Sequence, residues 1–408
     1  MHVCFIEPRF PGNQKLFVRA LAEVGATISA IGEGSKASLD DDLRRWLTHY
    51  EEVKNVTDPQ GVLNAVRFIQ RHKAIDRLEA TVEAHIMPTA HVREAAGIPG
   101  TSVRTAFLCR DKPAMKEVLR AGGVPCAQSM AASTADEVRA FAEQVGYPII
   151  VKPRDGAGAS GATRVDDDRG LEAALAELHL DRPGRSIAVE EFIEGHEGFY
   201  DTLSLDGEVV HEFATHYYPN VLEAMRHRWI SPQFVTTNRI DTAAGYDEVK
   251  ALGRKVVKLL GIETSATHME WFFGAKGLKF SEIGCRPPGV RAWDLYNVAN
   301  DMDLYREWAM FMTYGRPSQR PSRRLAAGII ALRPDRDGRI AGYEGLDVIY
   351  RHFGPHLIDQ HLPPEGTPTQ GVEAGYMANA WMRFKHENYD TLRKILDTVG
   401  ETVKVRAR

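Results

Sequence analysis

The sequence predicts an α/β protein with α+β portions: an open parallel sheet first, antiparallel hairpins after it. Three observations predict this. Roughly the first 100 residues alternate strand-like and helix-like runs, the order of a doubly wound sheet with a crevice at its carboxyl edge. From Phe199 onward, hairpin signals replace that alternation. A linker-like run, RPSQRPSRR at 316–324, then leads into a C-terminal portion of mixed type.

The elements follow in order. VCFIEP at 3–8 reads as a short buried strand, followed by a helix over about 13–24 and a second strand, TISAIGE. A helix starts near Asp58, with Pro59 at a favourable first position, and runs to about His72. DRLEATVE at 76–83 reads as the next strand, and GIPGTS at 97–102 marks a boundary. A helix over about 112–121 ends at Gly122-Gly123, and Ser133-Thr134 precedes another that reaches about Val145. PIIVKP at 148–153 is a strand, then come a glycine-rich loop, a helix over 170–180 and the strand SIAVEEF at 186–192. Residues 199–218 form a hairpin turning at Asp206-Gly207, and residues 245–261 have helical periodicity. There is no internal repeat and no low-complexity tract.

Bulk properties exclude several classes. A chain of 408 residues suggests two to four domains. The net charge of −4 gives no general basic field, which argues against nucleic acid as a partner. No apolar run approaches the ~20 residues of a membrane span, so no membrane association is expected. MHVCFIEPRF lacks the pattern of a signal peptide. Cys4, Cys109, Cys126 and Cys285 lie far apart without a C-x-x-C pair, against a zinc site or a disulfide framework. A cytoplasmic, reducing compartment is expected, with a homodimer as the assembly.

The most informative residues are Glu270 in HMEWFFG and Glu282 in LKFSEIGCRPPG, each on a strand of one hairpin linked through Ala275-Lys276-Gly277. A hairpin can bring both carboxylates to one face, where they could share a hard cation such as Mg²⁺ with phosphate oxygens. Arg286 adds a planar cation suited to a transferring phosphoryl group. Upstream, Lys152 precedes RDGAGASGATRV at 154–165, whose Gly156, Gly158 and Gly161, with Ser160 between them, let backbone N–H groups approach phosphate. The loop contains G-x-G-x-x-G, yet it leads into a strand rather than a helix. It is therefore neither a Rossmann fingerprint nor a P-loop. Lys112 sits at a helix start. In VEEFIEGHEG, main-chain groups of Glu191, Phe192 and Ile193 suit an adenine edge. Glu190 could take its amino group or the ribose, and Glu197 the ribose hydroxyls.

Two stretches look like substrate territory. In the aromatic, basic run 216–234, Arg226, His227, Arg228 and Trp229 could close over an anion. In RPPGVRAWDLYN, Arg291 could clamp a carboxylate and Asp294 receive an amine. His268 shares a strand face with Glu270, while Cys285 should point away from the face of Glu282.

Four ordered motifs over about 111–314 (DK, VKP with its glycine loop, EEFIEG-x-E, and E…E-x-x-x-R) resemble the ATP-grasp superfamily. Residues 97–129 resemble the start of the core in L-amino acid ligases. The resemblance implies an ATP-grasp fold with an N-terminal open parallel α/β domain (1–108), a two-part ATP-binding core (109–193 and 194–322) and a C-terminal α+β subdomain (323–408). It implies ATP and Mg²⁺, with Mn²⁺ an alternative, as cofactors. Lys112 and Lys152 would contact ATP phosphates, Glu190 to Ile193 adenine, and Glu197 ribose. Glu270 and Glu282 would bind the metal and Arg286 would stabilise the phosphoryl group. One departure stands out. The family pattern E-x-N-x-R has Gly284 in place of Asn, and Asn297 and Asn300 are the candidates to replace it. The activity implied is ATP-dependent ligation of a small carboxylate to an amine, amino acids foremost, through an acyl phosphate. The rivals are a bicarbonate-using carboxylase of the same fold and a non-catalytic nucleotide-binding protein. An NAD-dependent oxidoreductase lacks its glycine fingerprint after the first strand.

Overall fold

The computed structural model describes residues 1–153, 162–178, 180, 185–372 and 379–408. Its first sheet is parallel, in the order β3-β2-β1-β4: β1 is His2–Ile6, β2 Thr27–Glu33, β3 His49–Val53 and β4 Arg77–Glu79. Helices α1 (Gln14–Glu23), α2 (Asp41–Trp46), α3 (Pro59–Gln70) and α4 (Glu83–Ala96) connect and cover it. Asp58 caps α3 by accepting from the N–H groups of Gln60 and Gly61, with Pro59 in the first turn. The expected strand 76–83 is shorter than its pattern. It ends at Glu79, and Glu83 already opens α4, which carries Pro88 in its interior. That proline hid α4 from a reading by periodicity.

Two short helices, α5 (Val103–Leu108) and α6 (Lys112–Ala121), lead to a four-stranded antiparallel sheet in the order β5-β8-β6-β7. Its strands are β5 (Ser129–Ala132), β6 (Ile149–Pro153), β7 (Thr163–Val165) and β8 (Ile187–Glu191). The Thr134–Glu137 capping box starts the helix Ala135–Val145 that packs on it. Asp111 caps α6 by accepting from the Ala114 N–H at 3.0 Å.

The remainder is organised on an eight-stranded sheet, β13-β12-β9-β10-β11-β14-β17-β16. Here β9 is His196–Leu205, β10 Glu208–Tyr218, β11 Gln233–Thr236, β12 Ser265–Gly274, β13 Gly277–Gly284 and β14 Ala326–Leu332. After β15 (Ile340–Glu344) come β16 (Leu357–His361), β17 (Ala380–His386) and β18 (Lys404–Ala407). β15 pairs with β18 outside the large sheet. Asp206 and Gly207 both adopt positive φ, 51° and 85°, as a tight hairpin turn between β9 and β10 requires. Strands on both sides of the linker-like run 316–324 share one sheet, because β14 pairs with β11.

Apolar packing divides the molecule differently from its sheets. One cluster joins Cys4 and Leu78 of the first sheet and Ile86 of α4 to Met115 of α6 and Phe280 and Ile283 of β13. A second joins Phe5 and Phe17 to Trp293, Tyr296 and Trp308. The cluster under β5–β8 contains only residues between Ala132 and Val189, flanked by partly buried neighbours from Met130 to Leu178. No described helix is long and apolar enough to cross a membrane.

Phe17 is the aromatic hinge pin of the second cluster. Its ring lies 5.4 Å from Trp293, 5.0 Å from Tyr305 and 5.1 Å from Trp308, centroid to centroid. Phe17→Ala is expected to destabilise the protein by about 3–5 kcal/mol, the range for a fully buried ring left as a cavity. A urea titration checks this: the midpoint should fall with the slope unchanged.

Candidate active site

The β12–β13 hairpin turns on two residues, since Gly274 pairs with Gly277. In that register Trp271 faces Phe280, and strict alternation would place Glu270 opposite Ser281, with Glu282 on the other face. A β-bulge intervenes. The register shifts between Trp271 and Glu270, so that Glu270 pairs with Glu282 and His268 with Gly284. Ser281 and Glu282 are consequently both half-buried, whereas Phe280 and Ile283 on either side are buried. Both carboxylates line one cavity of about 570 Å³, within the usual range for a small-molecule site.

Lys112, Lys152, Glu190 and Glu197 line that cavity with them, and Ile150, Phe192, Ile193, Val221, Leu222 and Phe272 supply its apolar walls. Lys112 Nζ lies 3.3 Å from Glu282 Oε2, and Lys152 Nζ 4.0 Å from the same oxygen. Lys152 also reaches Glu190 Oε2 at 2.7 Å. A third lysine meets that oxygen at 2.8 Å: Lys116, fully buried one turn beyond Lys112 on α6. Sequence reasoning missed it, although the i, i+4 spacing from Lys112 was the signal. Glu190 therefore serves two ammonium groups.

The charges act on one another. Burial alone would raise Glu190, but Lys116 and Lys152 outweigh it and hold the carboxyl at about 2. Burial pulls Lys116 below its usual range, because its one carboxylate is shared with Lys152. Burial would likewise raise Glu282, and Lys112 and Lys152 reverse that. On Glu197 the Lys152 ammonium is the weakest of the influences. This carboxyl accepts from the Val221 N–H at 2.6 Å, and burial, then the Glu270 charge, lift it to about 8. Burial works against a charged His268, yet Asp201, which it meets at 2.7 Å, and Glu270 lift it to about 9.

These features fit a nucleoside triphosphate and a divalent cation. Lysines that would meet phosphate oxygens instead hold carboxylates, and Glu197, Glu270 and Glu282 crowd together as acids that a cation would relieve. Among the described residues no three acidic, His or Cys side chains form a ready metal cage. Two carboxylates are nonetheless what Mg²⁺ takes when phosphate and water complete its octahedron. Gly156, Gly158, Ser160 and Gly161 lie outside the described residues.

A second cavity, of about 670 Å³, lies beyond the end of β13. Its walls are residues 11–16 leading into α1, residues 81–83 at the start of α4, and residues 286–291. Arg286 lines this cavity and not the first. Its Nε donates to Glu83 Oε2 at 2.6 Å, a partner 203 positions away that no local pattern announces. Val290 and Arg291 both take left-handed φ, 47° and 58°, unusual for a β-branched residue and a mark of a shaped loop.

The expected substrate residues are dispersed. Arg226 and His227 border the first cavity. Trp229 stacks on His227 at 4.5 Å and is 80% exposed. Arg228 pairs with Asp337 instead. Arg291 borders the second cavity and pairs with Asp294 at 2.5 Å. Asp294 also receives Arg383 at 3.1 Å and the Tyr305 hydroxyl at 3.1 Å, which commits it to structure. Asn297 accepts from the Leu304 N–H, and Asn300 donates to the Tyr296 carbonyl, so both are occupied within their own helix region. Cys285 is buried, packed in the first apolar cluster.

The chain is similar to several known proteins. Residues 111–198 match the family described as carbamoyl-phosphate synthase L chain, ATP binding domain. An L-arginine-specific L-amino acid ligase of Bacillus subtilis is 28% identical over 366 residues, covering 88% of this chain and 86% of its own. The crystal structure of an L-amino acid ligase from Bacillus licheniformis superposes with a TM-score of 0.76 at 16% identity, covering 100% of this chain and 98% of that one. The biotin carboxylase domain of the Hydrogenobacter thermophilus 2-oxoglutarate carboxylase, solved with MgADP and bicarbonate, has a TM-score of 0.64 at 18% identity. It covers 97% of this chain and 89% of its own.

The lysine cluster carries a pH signature. The stability that Glu190 contributes is whole above its ordinary 4.5 and is lost as pH falls towards about 2. Glu190→Ala strips the shared carboxylate from two buried ammonium groups and should cost about 3–5 kcal/mol near neutral pH. The loss should shrink in acid, as the wild-type carboxylate is itself protonated on the way from 4.5 towards about 2. Urea titrations near neutral pH and in that acid window decide this, and equal losses at both would exclude the mechanism.

Proposed function

We propose that this chain is an ATP-grasp enzyme, an ADP-forming ligase joining a small carboxylate to an amine, with amino acids as the substrate class. One observation carries the reading. The strand end from Glu282 to Arg286 separates two cavities, with Glu282 on the nucleotide side and Arg286 on the other. A phosphoryl group passing between them would meet Lys112, Lys152 and Arg286 in turn.

The chemistry follows from that layout. Carboxylate oxygen is a poor leaving group, and phosphorylation makes it a good one. Bound Mg²⁺, held by Glu270 and Glu282, would neutralise charge on the phosphates. Lys112 and Lys152 exchange their carboxylate partners for phosphate oxygens, and the apolar walls at Ile150, Phe192 and Ile193 take the base. Arg286 offers a planar fork to the acyl phosphate. The protein's part is alignment and charge cancellation, as in other phosphoryl transfers. The reading places the enzyme in the cytosol as a homodimer, an assembly that light scattering measures.

The test is an ADP-release screen of amino acids taken in pairs, with L-arginine first among the carboxylates and each product weighed by mass spectrometry. The correct carboxylate alone should give slow ADP formation, and hydroxylamine should trap it as a hydroxamate. Release of AMP and pyrophosphate would overturn the reading. ADP release stimulated by bicarbonate without any amine would favour a carboxylase instead. Glu270→Ala and Glu282→Ala should each abolish turnover while the fold survives, and near-normal rates at limiting Mg²⁺ would refute their role. Arg286→Ala should lose roughly 10²–10³-fold in rate, the scale of one lost transition-state stabiliser.

A further inference from the structure

Glu83 stands at the second cavity in a position that calls for a chemical role. It is the one carboxylate among the described residues lining that cavity. The charged groups around it are cations. Arg286 meets it at 2.6 Å and Arg110 at 3.4 Å, while Lys15 and Arg291 lie on the same walls. The buried Cys109 thiol, next to Arg110, is the remaining titratable neighbour. Arg110 also donates to the Glu83 carbonyl at 2.6 Å, which fixes the first turn of α4.

Gly284 bears on the same carboxylate. A Cβ at 284 would stand 3.2 Å from Glu83 Oε2 and 3.4 Å from Arg286 Cγ. Glycine at this strand position leaves room for the carboxylate of another domain to lie beside the catalytic strand. The expected metal-side residue is missing from β13, and an acid from α4 reaches the space next to it.

We propose that Glu83 docks the ammonium of the amine substrate and takes its proton. The inference rests on the ligase reading above. As the acyl phosphate forms, Arg286 turns from Glu83 to the phosphoryl oxygens, and the ammonium takes the vacated carboxylate. One N–H proton passes to Glu83. The nitrogen lone pair attacks the acyl carbon and the C–N bond forms. The carbon–oxygen bond to phosphate then breaks, and its electron pair leaves with phosphate. The second proton goes to that phosphate, which departs as hydrogen phosphate, and Glu83 returns its proton to solvent. The amines selected are those that arrive protonated, as amino-acid α-amines do.

Two nucleophiles separate this from a structural role. With the full-length enzyme, ATP, Mg²⁺ and L-arginine, or the best carboxylate of the screen, L-alanine arrives as an ammonium and hydroxylamine arrives uncharged at neutral pH. Glu83→Gln is expected to lower the ratio of amide to hydroxamate by about 10²-fold, the lower end for a lost proton acceptor. The amide should recover as pH is raised and free amine accumulates, and Glu83→Asp should restore part of the ratio. If Glu83→Gln fails to fold by circular dichroism, Gly284→Ala displaces the same carboxylate and should lower the same ratio. An unchanged ratio, or equal loss of both products, overturns the proposal and leaves the ligase reading standing. Absence of any hydroxamate from the wild-type enzyme, with every carboxylate tried, overturns both.

Discussion

One extra residue in β13 governs the chemistry of this protein. Side chains alternate along a strand, so a two-residue turn at Ala275-Lys276 by itself would send Glu270 and Glu282 to opposite faces of the hairpin. The bulge at Ser281 restores them to one face. It also carries Gly284 onto that face, opposite His268, and so opens the space into which Glu83 reaches. The carboxylate pair, the glycine and the approach of α4 thus depend on a single local irregularity.

Around that hairpin the charges are arranged for exchange. Glu190 collects Lys116 from a helix and Lys152 from a strand, and Glu282 collects Lys112. Lys112, Lys116 and Lys152 each already have a carboxylate, so part of their burial cost is offset before any ligand arrives. A polyanion can then take over cations that are desolvated and in place, without recruiting them from water. Glu197, lifted by burial and the Glu270 charge, shows the complementary excess: the acids there crowd one another and suit a divalent ion.

Much of this was legible in the sequence, for reasons that differ by element. The parallel opening sheet, the capped helix at Pro59 and the helix after Thr134 announced themselves through periodicity and capping chemistry. That Glu270, Glu282, Lys112 and Lys152 lie around one cavity was legible because motif spacing reports local geometry. What remained hidden was tertiary. Pro88 broke the pattern of α4, and Glu83 meets Arg286 across 203 residues. The hairpin was readable but its bulge was not, since a bulge shows only against the partner strand. Asp294 looked like a free acid and is instead held by Arg291, Arg383 and Tyr305, contacts no linear pattern contains.

The closed apolar cluster of the β5–β8 sheet has a mechanical consequence. Apolar clusters weld the first parallel sheet, α6 and the large sheet into one body, whereas the small sheet keeps its buried hydrophobic residues to itself. What crosses the seam is polar: Lys116 to Glu190, Lys152 to Glu282, and Lys276 and Lys279 to Glu191. A swing of the small sheet therefore exposes little oil and trades ion pairs for water or phosphate. The seam is an electrostatic zipper in which salt loosens only the exposed pair at Lys276, and the triphosphate that the enzyme consumes carries the charges best suited to resetting the rest.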